Sequence, residues 1–144
     1  MSVKQISVFL ENKPGTLKKM TGFLAAHEID IRAISVSETV GFGVARLIVD
    51  DALSAINTLN ENDFIANLTP VLAIEVPDAA GGLDGLLAVF SELEVNIEYM
   101  YAFSSSRTMD HAYMIFRVAD TKAAEAKLKS KGIRILSQED IARM

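Results

Sequence analysis

The chain has 144 residues, 50% of them apolar and 23% charged, with a formal net charge of −5 and a pI near 5.0. An acidic surface repels phosphate backbones, so nucleic acid is disfavoured as a partner. There is no cysteine, which excludes disulfides, thiolate metal sites and a cysteine nucleophile.

The start, Met1-Ser2-Val3-Lys4-Gln5, runs straight into a strand pattern and lacks the form of a signal peptide. No stretch reaches the roughly 18 uninterrupted apolar residues of a membrane span. A cytoplasmic protein with no membrane partner is expected. Residues 5–10 alternate, with Ile6, Val8 and Leu10 on one face, which predicts a strand. Residues 11–15 carry turn chemistry: Pro14 fixes φ and Gly15 permits unusual backbone angles. A helix is predicted from Thr16, with Leu17, Met20, Phe23 and Leu24 as its apolar stripe and Lys18 and Lys19 facing out. Residues 29–36 form a second strand. Its alternation changes phase between Ile31 and Ile34, the signature of a bulge. Gly41-Phe42-Gly43 reads as a hairpin turn, and residues 44–49 as a third strand. Asp50-Asp51 can cap a second helix carrying Leu53, Ile56 and Leu59. Residues 64–69 close a βαββαβ order, the ferredoxin-like pattern.

The order then repeats. Residues 71–76 form a strand, 82–93 a helix and 95–103 a strand, and a long turn spans 104–111. A strand over 112–118 follows. Asp120 can cap a helix over 121–130, where Glu125 and Lys129 sit at i,i+4, and residues 133–136 close the unit. The segment Leu10-Glu11-Asn12-Lys13-Pro14-Gly15-Thr16-Leu17 returns as Val76-Pro77-Asp78-Ala79-Ala80-Gly81-Gly82-Leu83, a shift of 66 residues. The same shift carries Ile29-Asp30-Ile31 onto Val95-Asn96-Ile97. Past the hairpin the shift becomes 69, taking Val49 to Val118. Two copies of one small domain follow, residues 1–69 and 70–144. Only Thr69-Pro70 separates the last strand of one from the first strand of the next, too short for a flexible tether, so packed units are expected.

A strand, the turn Glu11-Asn12-Lys13-Pro14-Gly15-Thr16-Leu17, a helix and a strand opening on Ile29-Asp30-Ile31 together resemble the ACT domain family. These are ferredoxin-like modules that sense amino acids and regulate metabolic enzymes. The resemblance covers nearly the whole chain, as two tandem copies with no attached catalytic domain. It implies an α+β fold of two tandem ferredoxin-like domains, with antiparallel sheets and helices on one face. The second copy departs from the family pattern, with Ala80 where Pro is usual and Asp78 where Asn is frequent. Stand-alone tandem copies of this kind resemble small amino-acid-binding proteins of bacteria and archaea.

The repeated turn has its own chemistry. A free amino acid needs N–H donors for its carboxylate, and a helix start offers unpaired ones with a favourable dipole. Gly15, Thr16 and Leu17 are the candidate donors in the first copy, and Gly81, Gly82 and Leu83 in the second. Glycine at the corner lets the backbone approach a ligand without a Cβ in the way. For the ammonium, Asn12 and Asp30 are candidates in one copy, and Asp78 and Asn96 in the other. Glu11 and Pro14 frame the first turn, and Ile31 and Ile97 flank the second-strand residues. By the resemblance, the ligand sits where two units meet, between the first turn of one and the second strand of the other. One pocket would then pair Asn12 with Asn96, the other Asp78 with Asp30. The plainer alternative is that Pro-Gly turns and caps a helix, and that Asn and Asp satisfy turn backbone. Recurrence of the whole frame favours a ligand site.

Elsewhere, Tyr99, Tyr101 and Phe103 share a strand face with Tyr113 and Ile115. An aromatic open sheet face wants a cover: a locally buried patch, a subunit contact and a ligand wall are the alternatives, and subunit contact in a homodimer is the expectation. His27 and His111 are isolated, and neither a metal nor a cofactor is expected. Three functions compete. The first is a non-catalytic sensor of a free amino acid that acts on a partner enzyme or regulator of amino-acid metabolism; a variant is a subunit-interaction module without ligand. The second is an enzyme, for which no catalytic residues can be assembled. The third is an RNA-binding ferredoxin-like module, which needs exposed strand aromatics in a basic surround.

Overall fold

The computed structural model of the protein describes residues 2–39, 41–103 and 111–144. The long turn expected at 104–111 lies, His111 apart, outside the described residues. The chain divides into two compact units, Lys4–Thr69 and Pro70–Met144, the second taking in the first three residues.

The first unit contains β1 (Val3–Glu11), α1 (Thr16–Ala26), β2 (Ile31–Thr39), β3 (Phe42–Val49), α2 (Ala52–Glu61) and the opening of β4 (Ile65–Pro77). Its strand order is β2-β3-β1-β4. β3 pairs antiparallel with both β1 and β2. The alternation of β1 places Ile6, Val8 and Leu10 beside Ala45, Leu47 and Val49 of β3. Met20 and Leu24 of α1, and Ala55 and Leu59 of α2, close over them. Each of the larger aliphatic side chains among these contributes about 1.5–3 kcal/mol over leaving it wet. The expected bulge is present: Ile31 opposes Val49 but Ala33 opposes Ile48, leaving Arg32 as the extra residue. The hairpin turn is tighter than expected. Thr39 pairs with Phe42, so Phe42 and Gly43 already belong to β3. Leu53, expected on the stripe of α2, is 66% exposed. The helix buries Leu59 as expected, together with Ala55 and Thr58, whose small side chains admit close approach to the sheet.

The second unit repeats this plan with the rest of β4, α3 (Gly82–Glu92), β5 (Tyr99–Phe103), β6 (His111–Arg117), α4 (Thr121–Ser130) and β7 (Ile135–Leu136). Here β4 pairs antiparallel with β6 and with β7, and β6 with β5. Leu72, Ile74 and Val76 meet Phe116, Leu86, Phe90 and Leu128 in its core. Each unit is thus βαββαβ, an antiparallel sheet with its helices on one face. The repetition reaches single backbone angles. Glu28 and Glu94, related by the 66-residue shift, both close their helix ends at φ 55. Ile29 then donates to the Leu24 carbonyl at 3.0 Å and Val95 to that of Phe90 at 2.9 Å. Two elements differ from expectation. β5 begins at Tyr99 rather than 95, because Val95 and Ile97 pack against the core without entering the ladder. A further helix, α5 (Gln138–Arg143), follows β7.

Candidate functional site

All five described helices have defined starts, and they fall into two groups. Asp51 caps α2 by accepting from Ser54 N–H, and Asp120 caps α4 by accepting from Ala123 N–H, both at 3.1 Å. Ser137 and Asp140 form a reciprocal capping box on α5. α1 and α3 are different. Their N-caps are Gly15 and Gly81, at φ 89 and φ 85, and neither helix has a side-chain cap. Only glycine enters that left-handed region freely. The repeated turns therefore present helix starts whose N–H groups no side chain covers.

The first turn borders a cavity of about 560 Å³ contained within the first unit. Glu11, Lys13, Pro14, Gly15 and Thr16 line it from the turn, and Lys19 from α1. Asn62, Asp63 and Phe64, which link α2 to β4, line it from the other side, with Phe9, Leu10 and Ile65 adding apolar wall. Lys13 and Glu11 pair at 2.8 Å. Their hydrogen bond and mutual charge hold the Glu11 carboxyl below its ordinary value and the Lys13 ammonium above. Lys19 and Asp63 have no ion-pair partner among the described residues. Lys19, Asn62, Asp63, Phe64 and Phe9 were not legible as site residues. The αL turn at Asp63 (φ 66) carries no glycine to mark it.

The remaining expected residues of the first copy lie apart. Asp30 and Ile31 line a second, shallower hollow of about 330 Å³ with Gly22 and Ala25 of α1. Leu17 lines neither hollow and is half-exposed. Asn12 donates to the Glu38 carboxylate at 3.0 Å, and the Asp30 carboxylate is ion-paired with Arg32. Ile31 flanks the first core as Ile97 flanks the second. Within one unit, Gly15 and Asp30 do not share a hollow.

The second turn has the same angles but a tighter corner. Gly82 N–H donates to the Ala79 carbonyl at 3.0 Å, against 3.4 Å from Thr16 to Lys13. A Cβ on Gly82 would stand 2.2 Å from the Pro77 carbonyl oxygen. Asp78, Gly81 and Asn96 are exposed, and Leu83 is 37% exposed.

On the aromatic face of the second unit Tyr99 and Tyr101 are half-buried, and the remainder is closed. Phe103 and Tyr113 are 5% and 4% exposed with rings 5.2 Å apart, and Ile115 is fully buried. A stacking platform for RNA needs open rings, which these are not. No described helix is long and apolar enough to cross a membrane.

Two βαββαβ units, each opened by an uncapped glycine turn, define a tandem ferredoxin-like module. The chain belongs to the family described as the ACT domain pair, whose match runs over residues 1–144. Among solved structures it is similar to protein BT0572 from Bacteroides thetaiotaomicron. That match has 35% identity and a TM-score of 0.91, covering 100% of this chain and 98% of the other. It shares its fold with the ligand-free regulatory subunit of aspartate kinase from Thermus thermophilus, at 17% identity and TM-score 0.67, with 91% and 92% of the two chains covered. The corresponding subunit from Thermus flavus matches at 17% identity and TM-score 0.63, with 90% of each chain covered. No curated protein sequence matches the chain.

Proposed function

We propose that this chain is a non-catalytic sensor that binds a free amino acid at its glycine-turn helix starts and relays occupancy to a partner enzyme or regulator of amino-acid metabolism. One observation carries the reading. Of the five described helices, the two left without a side-chain cap are those that open on the repeated turn. An uncapped helix start is a receptor for a carboxylate, through its N–H groups and dipole. Membership of the ACT domain pair family supports it, as do structural relatives that are regulatory subunits of aspartate kinase. In this scheme the N–H groups of Gly15 and Leu17, or of Gly81 and Leu83, meet the carboxylate, while those of Thr16 and Gly82 already donate within their turns. Asp30 and Asn96 contribute only if a turn of a different unit reaches them.

The reading includes self-association as a homodimer. Of the surface expected for it, Phe103, Tyr113 and Ile115 are already buried within the chain and Tyr99 and Tyr101 are half-buried. Ile34 and Val36, 42% and 52% exposed on edge strand β2, are the better contact.

Calorimetric titration and thermal-shift measurement against the twenty amino acids test the sensor. A ligand at about a hundred times its Kd stabilises by about 2.7 kcal/mol, which raises Tm by several degrees. A panel in which no amino acid gives heat or a shift removes the reading.

A further inference from the structure

The two repeats are alike in fold but not in what surrounds their turns. Under the repeat shifts, Lys13 becomes Ala79, Lys19 becomes Gly85 and Asp63 becomes Gly132. Of the apolar walls, Phe9 becomes Glu75 and Ile65 becomes Arg134. Every charge beside the first cavity, Glu11 and Lys13 included, and two of its apolar walls are therefore private to the first unit.

We infer that the first repeat alone holds a complete ligand site, the 560 Å³ cavity between the β1–α1 and α2–β4 turns, and that it takes a free amino acid with an apolar side chain. This deepens the sensor reading above and rests on it. The volume falls within the range of small-molecule sites, about 300–1,000 Å³. Glu11 and Lys13 neutralise each other at 2.8 Å. What remains along the lining is one cation, Lys19, and one anion, Asp63, neither in an ion pair among the described residues. One charge of each sign matches a zwitterion and no net-charged ligand. The carboxylate goes to Lys19 and the α1 start, and the ammonium to Asp63. Phe9, Leu10, Phe64 and Ile65 leave the ligand side chain an apolar wall. Phe9 and Ile65 are 38% and 67% exposed, so covering them gains hydrophobic free energy. The second repeat has glycine at both charged positions and keeps Gly82 for close packing on Pro77.

The test is calorimetric titration of the full chain with L-leucine, L-phenylalanine, L-aspartate and L-lysine. The expected result is one site per chain and a preference for leucine or phenylalanine. Asp63→Asn, whose new residue also tolerates the left-handed turn, is expected to weaken binding about tenfold or more. Lys19→Gln is expected to do the same, and Asp30→Asn to leave affinity unchanged. Two sites per chain, a preference for aspartate or lysine, or binding lost in Asp30→Asn but kept in Asp63→Asn would overturn the single-repeat site and leave the sensor standing. Absence of binding by any amino acid removes both.

Discussion

The guanidinium of Arg32, the bulged residue of β2, is ion-paired with the carboxylate of Asp30 just before the strand. Asp30 is fixed by its backbone as well, donating N–H to the Asp50 carboxylate at 2.9 Å and accepting from Asp50 N–H at 3.1 Å. The bulged Arg32 pairs with the aspartate, so the Asp30 carboxylate already has a cationic partner within its own unit. The Asp30 side chain is 62% exposed, so solvent screens the pair. Asp30→Asn is expected to change stability by less than about 1 kcal/mol in urea denaturation. A loss well above that would mean that the pair anchors the bulge.

Gly82 and Gly85 sit one turn apart on α3 and should respond oppositely to alanine. A Cβ at Gly82 meets the Pro77 carbonyl oxygen, a backbone atom, at 2.2 Å, whereas one at Gly85 meets nothing within 4 Å. Gly82→Ala is expected to destabilise by about 1–3 kcal/mol, as overpacking does. Gly85→Ala is expected to stabilise by up to about 1 kcal/mol, because alanine restricts the unfolded chain and favours helix. Urea midpoints of the two variants at equal m-value decide the matter.

Where short-range chemistry decides structure, the sequence was legible. The two glycine turns, the Asp51 and Asp120 caps and the bulge after Ile31 all depend on residues within a few positions of one another. The repeat supplied the long-range part, since two matched frames imply two matched folds. The failures are also physical. Ser137-Gln138-Glu139-Asp140 spells a capping box, but a six-residue helix is too short to show a period, so α5 went unread. Leu53 has the right spacing for a buried stripe, yet α2 turns Ala55, Thr58 and Leu59 inward and leaves Leu53 wet. Asp63 reaches the cavity only because α2 brings it beside a turn some 50 residues earlier in the chain. No local pattern encodes that approach.

β2 ends the strand order, and an edge strand offers unpaired backbone groups to a second copy. Its exposed Ile34 and Val36 point from the same face as Leu47 and Ala45, which oppose them in the register. The wild type is expected to sediment as a dimer at micromolar concentration. Val36→Lys, which places a charge on that edge, is expected to give monomer with an unchanged circular dichroism spectrum. A monomeric wild type would remove the homodimer from the proposed function.

The capping box on α5 carries a pH dependence whose sign follows from its geometry. The Ser137 N–H donates to the Asp140 carboxylate at 2.8 Å, and this bond holds the Asp140 carboxyl below its ordinary value. Its folded pKa is therefore lower than its unfolded one, near 3.9. A group shifted down stabilises the folded state above its unfolded pKa and loses that contribution as pH falls through the folded value. The cap is thus intact at pH 7 and weakens only below about pH 4. Ser137 N–H then loses its ionised acceptor, although the Ser137 hydroxyl still accepts from Asp140 N–H at 3.1 Å. The readout is hydrogen exchange at Ile141, whose N–H is bonded to the Ser137 carbonyl at 3.2 Å and whose side chain is fully buried. Ser137→Ala is expected to weaken α5 by about 0.5–2 kcal/mol at pH 7, the usual loss for a cap. Asp140→Asn is expected to flatten the dependence of Ile141 protection on pH between 5 and 3, after correction for intrinsic exchange. Protection in that variant that still falls with acid as in the wild type would show that another carboxylate, not Asp140, governs the end of the chain.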